Sequence, residues 1–330
     1  IEGSNVFRPK EQEPISEAEL KEKFLGKRAE EFLDKLKDEI PAEEDAKELE
    51  DLVKKEIEKG RFKGATSEGG MNTRFGRGRW RPLPLFRIVQ SSGKVRLISD
   101  ARRGGHNEMT SEEEAIFVPT ADFVPEAARM YANAVTEGPW SEGECVLPEW
   151  AHMTISTEDL DEAYGQCPVE RSHLRFAVVC WYSVEHKAWR FAESVGLVFG
   201  FRSAVPSFNR WPLLMSALGR RIFALIVTNY FDDFCDLEGR RAAVSGKLCL
   251  AKAAAFVGGA FGISKSMPPG SQRPFVGILN RLDLVDSLGV VTCEPRDQLR
   301  QDIEEEANER LRTRVCTCLL YTSDAADDLR

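Results

Sequence analysis

Apolar residues recur at helical spacing in some stretches of this chain and at strand spacing in others, and the two kinds alternate. Over residues 15–59 the spacing is helical. Ser16 and Glu19 stand three apart, as a capping box requires, and Leu49, Leu52, Val53 and Ile57 form a narrow stripe that stops before Gly60. Pro41 separates two of these helices. Strand patterning follows over residues 85–89 and 95–98, with the turn residues Ser91, Ser92 and Gly93 between them, which predicts a hairpin. Phe123, Ala127, Met130, Tyr131 and Ala134 return to helical spacing behind Asp122, a suitable cap. Residues 176–181 and 188–191 predict a second strand pair. The apolar run Ile222-Phe223-Ala224-Leu225-Ile226-Val227 predicts a strand leading into Tyr230-Phe231-Asp232-Asp233-Phe234. Helices are predicted over 207–221, with Pro212 in the first turns, and over 247–257. Short strands are predicted over 262–267 and 275–279, with Pro268-Pro269-Gly270 between them. Strand, helix, hairpin, helix and strand in that order is the split β-α-β arrangement, and the fold class is α+β.

Composition bounds this picture. The 330 residues suffice for one large or two ordinary domains, and 42% hydrophobic with 30% charged residues is a soluble, globular balance. No apolar run approaches the roughly 20 residues of a membrane span, and Ile1-Glu2-Gly3-Ser4 does not begin a signal peptide. Eight cysteines without a Cys-x-x-Cys spacing and four dispersed histidines argue against a zinc site or a disulfide framework. A reduced intracellular chain is expected, in cytoplasm or nucleus.

The net charge of −9 is unevenly spread. Residues 1–60 carry 19 acidic and 12 basic groups, whereas residues 61–110 carry 11 basic and 3 acidic ones. A polyanion meeting the second segment is screened from the first beyond roughly 8 Å. Within that basic segment, residues 61–81 are rich in Gly and Arg, and read either as a loop tracking phosphates with aromatics stacked on bases or as a surface linker. Residues 318–330 look like translated sequencing adapter, expected to be exposed and unpacked.

The candidate chemistry lies in carboxylates. Asp232 and Asp233 sit back to back after an apolar strand, and Asp159 lies upstream in Thr157-Glu158-Asp159-Leu160-Asp161-Glu162-Ala163-Tyr164. Paired aspartates in a turn are common and mean little alone. On adjacent strands, these two segments would assemble a site for divalent metal ions, with Asp159 at a strand end and Asp232 at a hairpin tip.

These stretches resemble the Asp-x-x-x-Ala-Tyr and Tyr-x-Asp-Asp motifs of the reverse transcriptase family. Other segments match in the same order: Lys94-Val95-Arg96-Leu97-Ile98-Ser99-Asp100, Phe199-Gly200-Phe201-Arg202-Ser203-Ala204, Phe261-Gly262-Ile263-Ser264-Lys265-Ser266 and Phe275-Val276-Gly277-Ile278. The resemblance runs over residues 45–282, and is closer to retrotransposon-type enzymes because Phe199 rather than Gln precedes Gly200. It departs at Leu197-Val198, where Leu-Pro is usual, and at Val205-Pro206, where the proline comes one step late.

The resemblance implies a right-hand polymerase with fingers over 61–140 and 167–199, and a palm over 141–166 and 200–290 built on a split β-α-β (ferredoxin-like) sheet. Residues 1–60 would be an acidic helical extension, and 291–317 the start of a thumb or connector. A thumb and RNase H are expected in the full-length parent. The implied activity is RNA-directed DNA synthesis with two Mg²⁺ ions, Mn²⁺ being possible, on an RNA or DNA template with a primer and deoxynucleoside triphosphates, and with no membrane partner. Asp159, Asp232 and the weaker ligand Asp233, with the Leu160 backbone, would hold the metals. Lys94 and Arg96 would grip the triphosphate, Tyr164 would exclude a 2′-hydroxyl, and Phe199, Gly200 and Tyr230 would line the substrate. Lys265 would protonate pyrophosphate, or be a surface lysine. The alternative is a catalytically silent, nucleic-acid-binding remnant of a retroelement.

Overall fold

The computed structural model describes residues 8–9, 15–90, 93–110, 114–116, 118–136 and 147–313; Ser91 and Ser92 of the expected turn, and segment 318–330, lie outside the described residues. Val178-Val179-Cys180-Trp181 is apolar at every position because strand Val178–Ser183 lies inside a five-stranded sheet covered on both faces. The sheet order is Phe62–Thr66, Ala188–Ser194, Val178–Ser183, Pro82–Val89 and Val95–Ser99, antiparallel except between the third and fourth strands. Val179 and Trp181 bury against Leu83, Leu85 and Val53 of helix Glu43–Glu58. On the other face, Val178 and Cys180 meet Leu33 and Leu36 of helix Lys27–Asp38 together with Met71 and Trp80.

Helices Lys27–Asp38 and Glu43–Glu58 are therefore packed into the body rather than appended to it. The capping box at Ser16 forms as expected, and Gly60 takes φ 73° just beyond the helix Glu43–Glu58. Phe24, Leu25, Ala29, Leu33 and Leu36 are all buried. The buried Arg81 guanidinium fastens these helices, donating to the carbonyls of Gly104 (2.7 Å), Phe24 (3.2 Å) and Arg28 (3.2 Å) while lying 4.6 Å from the Phe32 ring. The Gly- and Arg-rich segment is neither a linker nor a free phosphate loop. Residues Glu68–Phe75 form a helix behind the Ser67 cap, Met71 and Trp80 are buried, and Arg74 and Arg77 pair with Glu193 and Glu30.

A second sheet has four antiparallel strands in the order Met267–Gly270, Met153–Asp159, Asp233–Gly239 and Ile226–Tyr230. With helices Ala204–Ile222 and Ala243–Phe256 it completes a β-α-β-β-α-β sequence. One face packs on helix Phe123–Thr136, where Val124, Ala128 and Ala132 meet Ile155, Cys235 and Leu237. That helix thus belongs with this sheet, although the sequence boundary at 140 grouped it with the other. The opposite face packs Val227 and Phe234 on Phe208, Met215 and Leu250 of the two connecting helices.

Four boundaries differ from expectation. The run 222–227 is split, because Ile222 ends a helix, Ala224 turns with φ 54° and the strand starts at Ile226. Pro212 lies inside that helix, beyond its first turns, since the helix begins at Ala204. Pro268-Pro269-Gly270 does not separate strands but is a strand, with 262–267 mostly turn before it. Prolines are tolerated there because Met267–Gly270 is an edge strand with an irregular register, where missing N–H donors leave no ladder broken. Residues 275–279 enclose a two-residue hairpin turn at Val276 and Gly277, both with positive φ. Strands Gln272–Phe275, Ile278–Arg281 and Thr292–Pro295 form a third sheet, followed by helix Asp297–Thr313, which has no buried residue.

Candidate active site

The turn Phe231-Asp232 joins strands Ile226–Tyr230 and Asp233–Gly239, whose first pair is Tyr230 with Asp233. Phe231 has φ 49° and Asp232 does not share the positive sign, so a bulky residue holds a position that normally favours glycine. Asn229 braces this strained turn. It is buried, its Nδ2 donates to the Phe231 carbonyl (3.2 Å), and its Oδ1 accepts from Ser216 Oγ (2.7 Å) on the helix behind. The sequence reading missed both residues, and a polar side chain inside an apolar strand was the available signal.

Asp159 ends strand Met153–Asp159 and stands directly across from Asp233 in the ladder. The Leu160 amide donates to the Asp232 carbonyl (3.0 Å), tying the strand end to the turn. The three aspartates therefore meet at one end of the two central strands. Burial first, and then the Asp159 charge, hold Asp232 above the ordinary carboxylate range. Asp233 is also raised, by crowding of protein around it and then by Asp232 and Asp159, although its side chain reaches solvent. The cross-strand register puts Asp233 and Asp159 on one face.

Lys265 is the counter-charge, its Nζ 2.5 Å from Asp159 Oδ1. It sits in the turn after Phe261, which bridges to Leu160. Among the described residues, one trio of potential metal ligands has its atoms all within 4.8 Å of one another, and it is Glu50, Glu185 and His186 rather than the aspartates. Glu50 already accepts from Ser183 Oγ (2.6 Å) and the Val184 amide (3.1 Å), so that trio is explained by bracing of a turn.

A cavity of about 680 Å³ is lined by Tyr230, Asp232 and Asp233 and also by Lys94 and Arg96, the latter on strand Val95–Ser99 of the five-stranded sheet. Arg96 donates from Nε to Gln90 Oε1 (3.1 Å) and lies 5.8 Å from the Phe199 ring. Tyr164 packs between Phe199 (4.6 Å) and Phe208 (4.9 Å), and burial, with Asp232 and Cys167 adding, pushes its hydroxyl up to about 12. Gly200 takes φ 114°, and a Cβ there would fall 2.0 Å from the Ser99 carbonyl, so the chain passes against the Val95–Ser99 strand only as glycine. The Ser99 amide donates to the Phe199 carbonyl (2.8 Å) at the same point. Lys59, Arg61 and Glu162 also line the cavity and form ion pairs with one another, another arrangement the sequence reading did not anticipate.

No helix among the described residues is long and apolar enough to cross a membrane. No family model matches the chain, and no curated protein matches its sequence. Among solved structures, a foamy viral protease–reverse transcriptase in complex with double-stranded DNA is similar, with a TM-score of 0.52 and 13% identity. The likeness covers 76% of this chain and 34% of that one, so this chain spans about a third of that protein's length. At this identity the likeness is one of fold: the chain has the α+β fold of a reverse-transcriptase-like protein.

Proposed function

We propose that this protein is a template-directed nucleotidyltransferase of the retrotransposon reverse transcriptase type. It would add deoxynucleotides to a primer 3′-end on an RNA or DNA template, with the four-stranded sheet as palm and the five-stranded sheet as fingers. The observation that carries the reading is the cross-strand register of Asp159 with Asp233 beside Asp232, with Asp232 and Asp233 lining one cavity together with Lys94 and Arg96.

The carboxylates fit hard divalent cations. They offer oxygen ligands only, and Lys265, which pairs with Asp159, brings one positive charge to three carboxylates. Asp159 and Asp232 would hold two Mg²⁺ ions, or Mn²⁺, with Asp233 and the Leu160 backbone as lesser ligands. Bound there, the metals would lower the pKa of the attacking 3′-hydroxyl and neutralise the leaving pyrophosphate. Arg96 would fork a phosphate and Lys94 would add a point charge. The Tyr164 ring would leave no room for a 2′-hydroxyl, and Lys265 would give a proton from Nζ to pyrophosphate.

The Lys265–Asp159 pair favours one other reading, a nucleic-acid-binding protein without catalysis. Primer extension on RNA and DNA templates separates the two. Incorporation by the wild type that Asp232→Asn abolishes, with template–primer affinity unchanged within error, is the expected result. Binding without incorporation in the wild type overturns the polymerase reading.

A further inference from the structure

The turn that carries Tyr164 is held from outside its own motif. After strand Met153–Asp159, the chain passes through Leu160, Asp161 and Glu162 into the short helical turn Ala163–Gln166. Glu162 takes φ 49°, a left-handed conformation rare for a residue with a side chain and one that needs support from its surroundings. Both of its carboxylate oxygens are engaged, Oε1 by Lys59 Nζ and Oε2 by Arg61 Nη2. Those two cations lie at and just beyond the end of helix Glu43–Glu58, on the five-stranded-sheet side of the cavity.

Arg61 is itself fixed. Its Nη1 is 3.0 Å from Glu56 Oε2, its amide donates to the Glu56 carbonyl (3.0 Å) and its carbonyl accepts from the Val195 amide (2.9 Å). Its side chain also lies flat against Gly165, where a Cβ would fall 2.8 Å from Arg61 Nε. Arg61 thus touches the turn on both sides of Ala163 and Tyr164, through Glu162 and Gly165. Lys59 and Arg61 are balanced by Glu56 and Glu162, so this cluster has no excess positive charge for a triphosphate. Its evident work is restraint. Tyr164, packed on Phe199 and Phe208, can refuse a 2′-hydroxyl only while its backbone cannot retreat.

We propose that Glu162 is a positioning residue for sugar selection: gripped by Lys59 and Arg61, it locks the turn beneath Tyr164 and so sets discrimination against ribonucleotides. This inference rests on the polymerase reading above. In single-nucleotide primer extension by the full chain, Glu162→Gln lowers the ratio of kcat/KM for deoxynucleotide over ribonucleotide by about tenfold, equivalent to about 1.4 kcal/mol of differential transition-state binding. Arg61→Met does the same, and Arg61→Lys, which keeps the charge, restores part of the ratio. In a Tyr164→Ala background, Glu162→Gln has no further effect, because the restrained ring is gone. Hydrogen exchange at the Gly165 and Cys167 amides, which donate to Glu162 and Tyr164 carbonyls, quickens in Glu162→Gln while helix Ala243–Phe256 stays unchanged. An unaltered ratio in Glu162→Gln, or an equal effect with and without Tyr164, overturns the proposal while leaving the polymerase reading intact. A wild-type chain that incorporates nothing overturns both.

Discussion

Asp236→Asn should make this protein more stable at alkaline pH and leave it unchanged in acid. Asp236 lies on the strand that begins with Asp233, but on the face turned toward the connecting helices, and is 4% exposed. Glu158 and Glu238 are buried beside it, and Lys247 is committed to Glu158 (2.7 Å) and to the Met267 carbonyl (2.7 Å). Asp236 Oδ1 and Glu158 Oε2 are buried without a hydrogen-bond partner. Burial first, then the Glu238 charge, with Glu158 adding and Lys247 opposing, raise Asp236 from its ordinary 3.8 to about 7. Because the folded pKa is the higher one, this contribution to stability is complete below about pH 4 and is lost as pH rises through about 7. Each pKa unit is worth about 1.4 kcal/mol, so the loss by pH 8 is at most about 4 kcal/mol, and mutual interaction with Glu238 brings it nearer 2. Asparagine keeps the shape and removes the charge. Urea unfolding of both proteins at pH 4 and pH 8 should therefore show no difference at the first and a gain of about 2–4 kcal/mol at the second. A difference independent of pH, or a less stable variant at pH 8, would refute the reasoning.

Gly200→Ala should cost about 3 kcal/mol or more in urea unfolding, because φ 114° and a Cβ 2.0 Å from the Ser99 carbonyl force the Ser99–Phe199 hydrogen bond apart; a loss below about 1 kcal/mol would show that the loop moves freely. Arg81→Met strands three carbonyls and should also cost about 3 kcal/mol or more, with Arg81→Lys intermediate. A melting temperature untouched by Arg81→Met would mean that the N-terminal helices are held by apolar contact alone. Lys94→Met combined with Arg96→Met should raise KM for deoxynucleotides about tenfold or more with unfolding unaffected, charge-assisted bonds being worth about 1.5–3 kcal/mol each. An unchanged KM removes both residues from the phosphate clamp.

Much of the fold was legible because hydrophobic period and turn chemistry act locally. The capping box at Ser16, the glycine beyond the helix end at residue 60, the hairpin joining Leu85 to Ser99 and the strand pair around Trp181 depend on neighbours within a few residues. The larger misplacements needed distant contacts. Pro268 and Pro269 read as breakers, and only the sheet order shows that they stand at an edge where a missing N–H is harmless. The charged helices before residue 45 looked solvated, since the buried Leu33 and Leu36 are few and their partners Met71, Trp80 and Phe191 lie far along the chain. The Gly- and Arg-rich stretch looked open for the same reason: Arg74 and Arg77 are paired with glutamates from other elements.

The candidate site divides along the same line. Asp159, Asp232 and Asp233 could be singled out because a strand end and a two-residue turn place them by local geometry, and Tyr164 through the resemblance of its motif. What restrains them could not. Asn229 holds the Phe231 carbonyl only because Ser216, on a separate helix, fixes its amide, and Glu162 holds its left-handed backbone only through cations at residues 59 and 61, about a hundred positions upstream. A strained turn without such partners would relax and carry its carboxylate or ring out of register. The arrangement of the aspartates and the set of the Tyr164 ring are consequently properties of the whole body, including the helix that runs from Glu43 to Glu58, and not of the motifs that contain them.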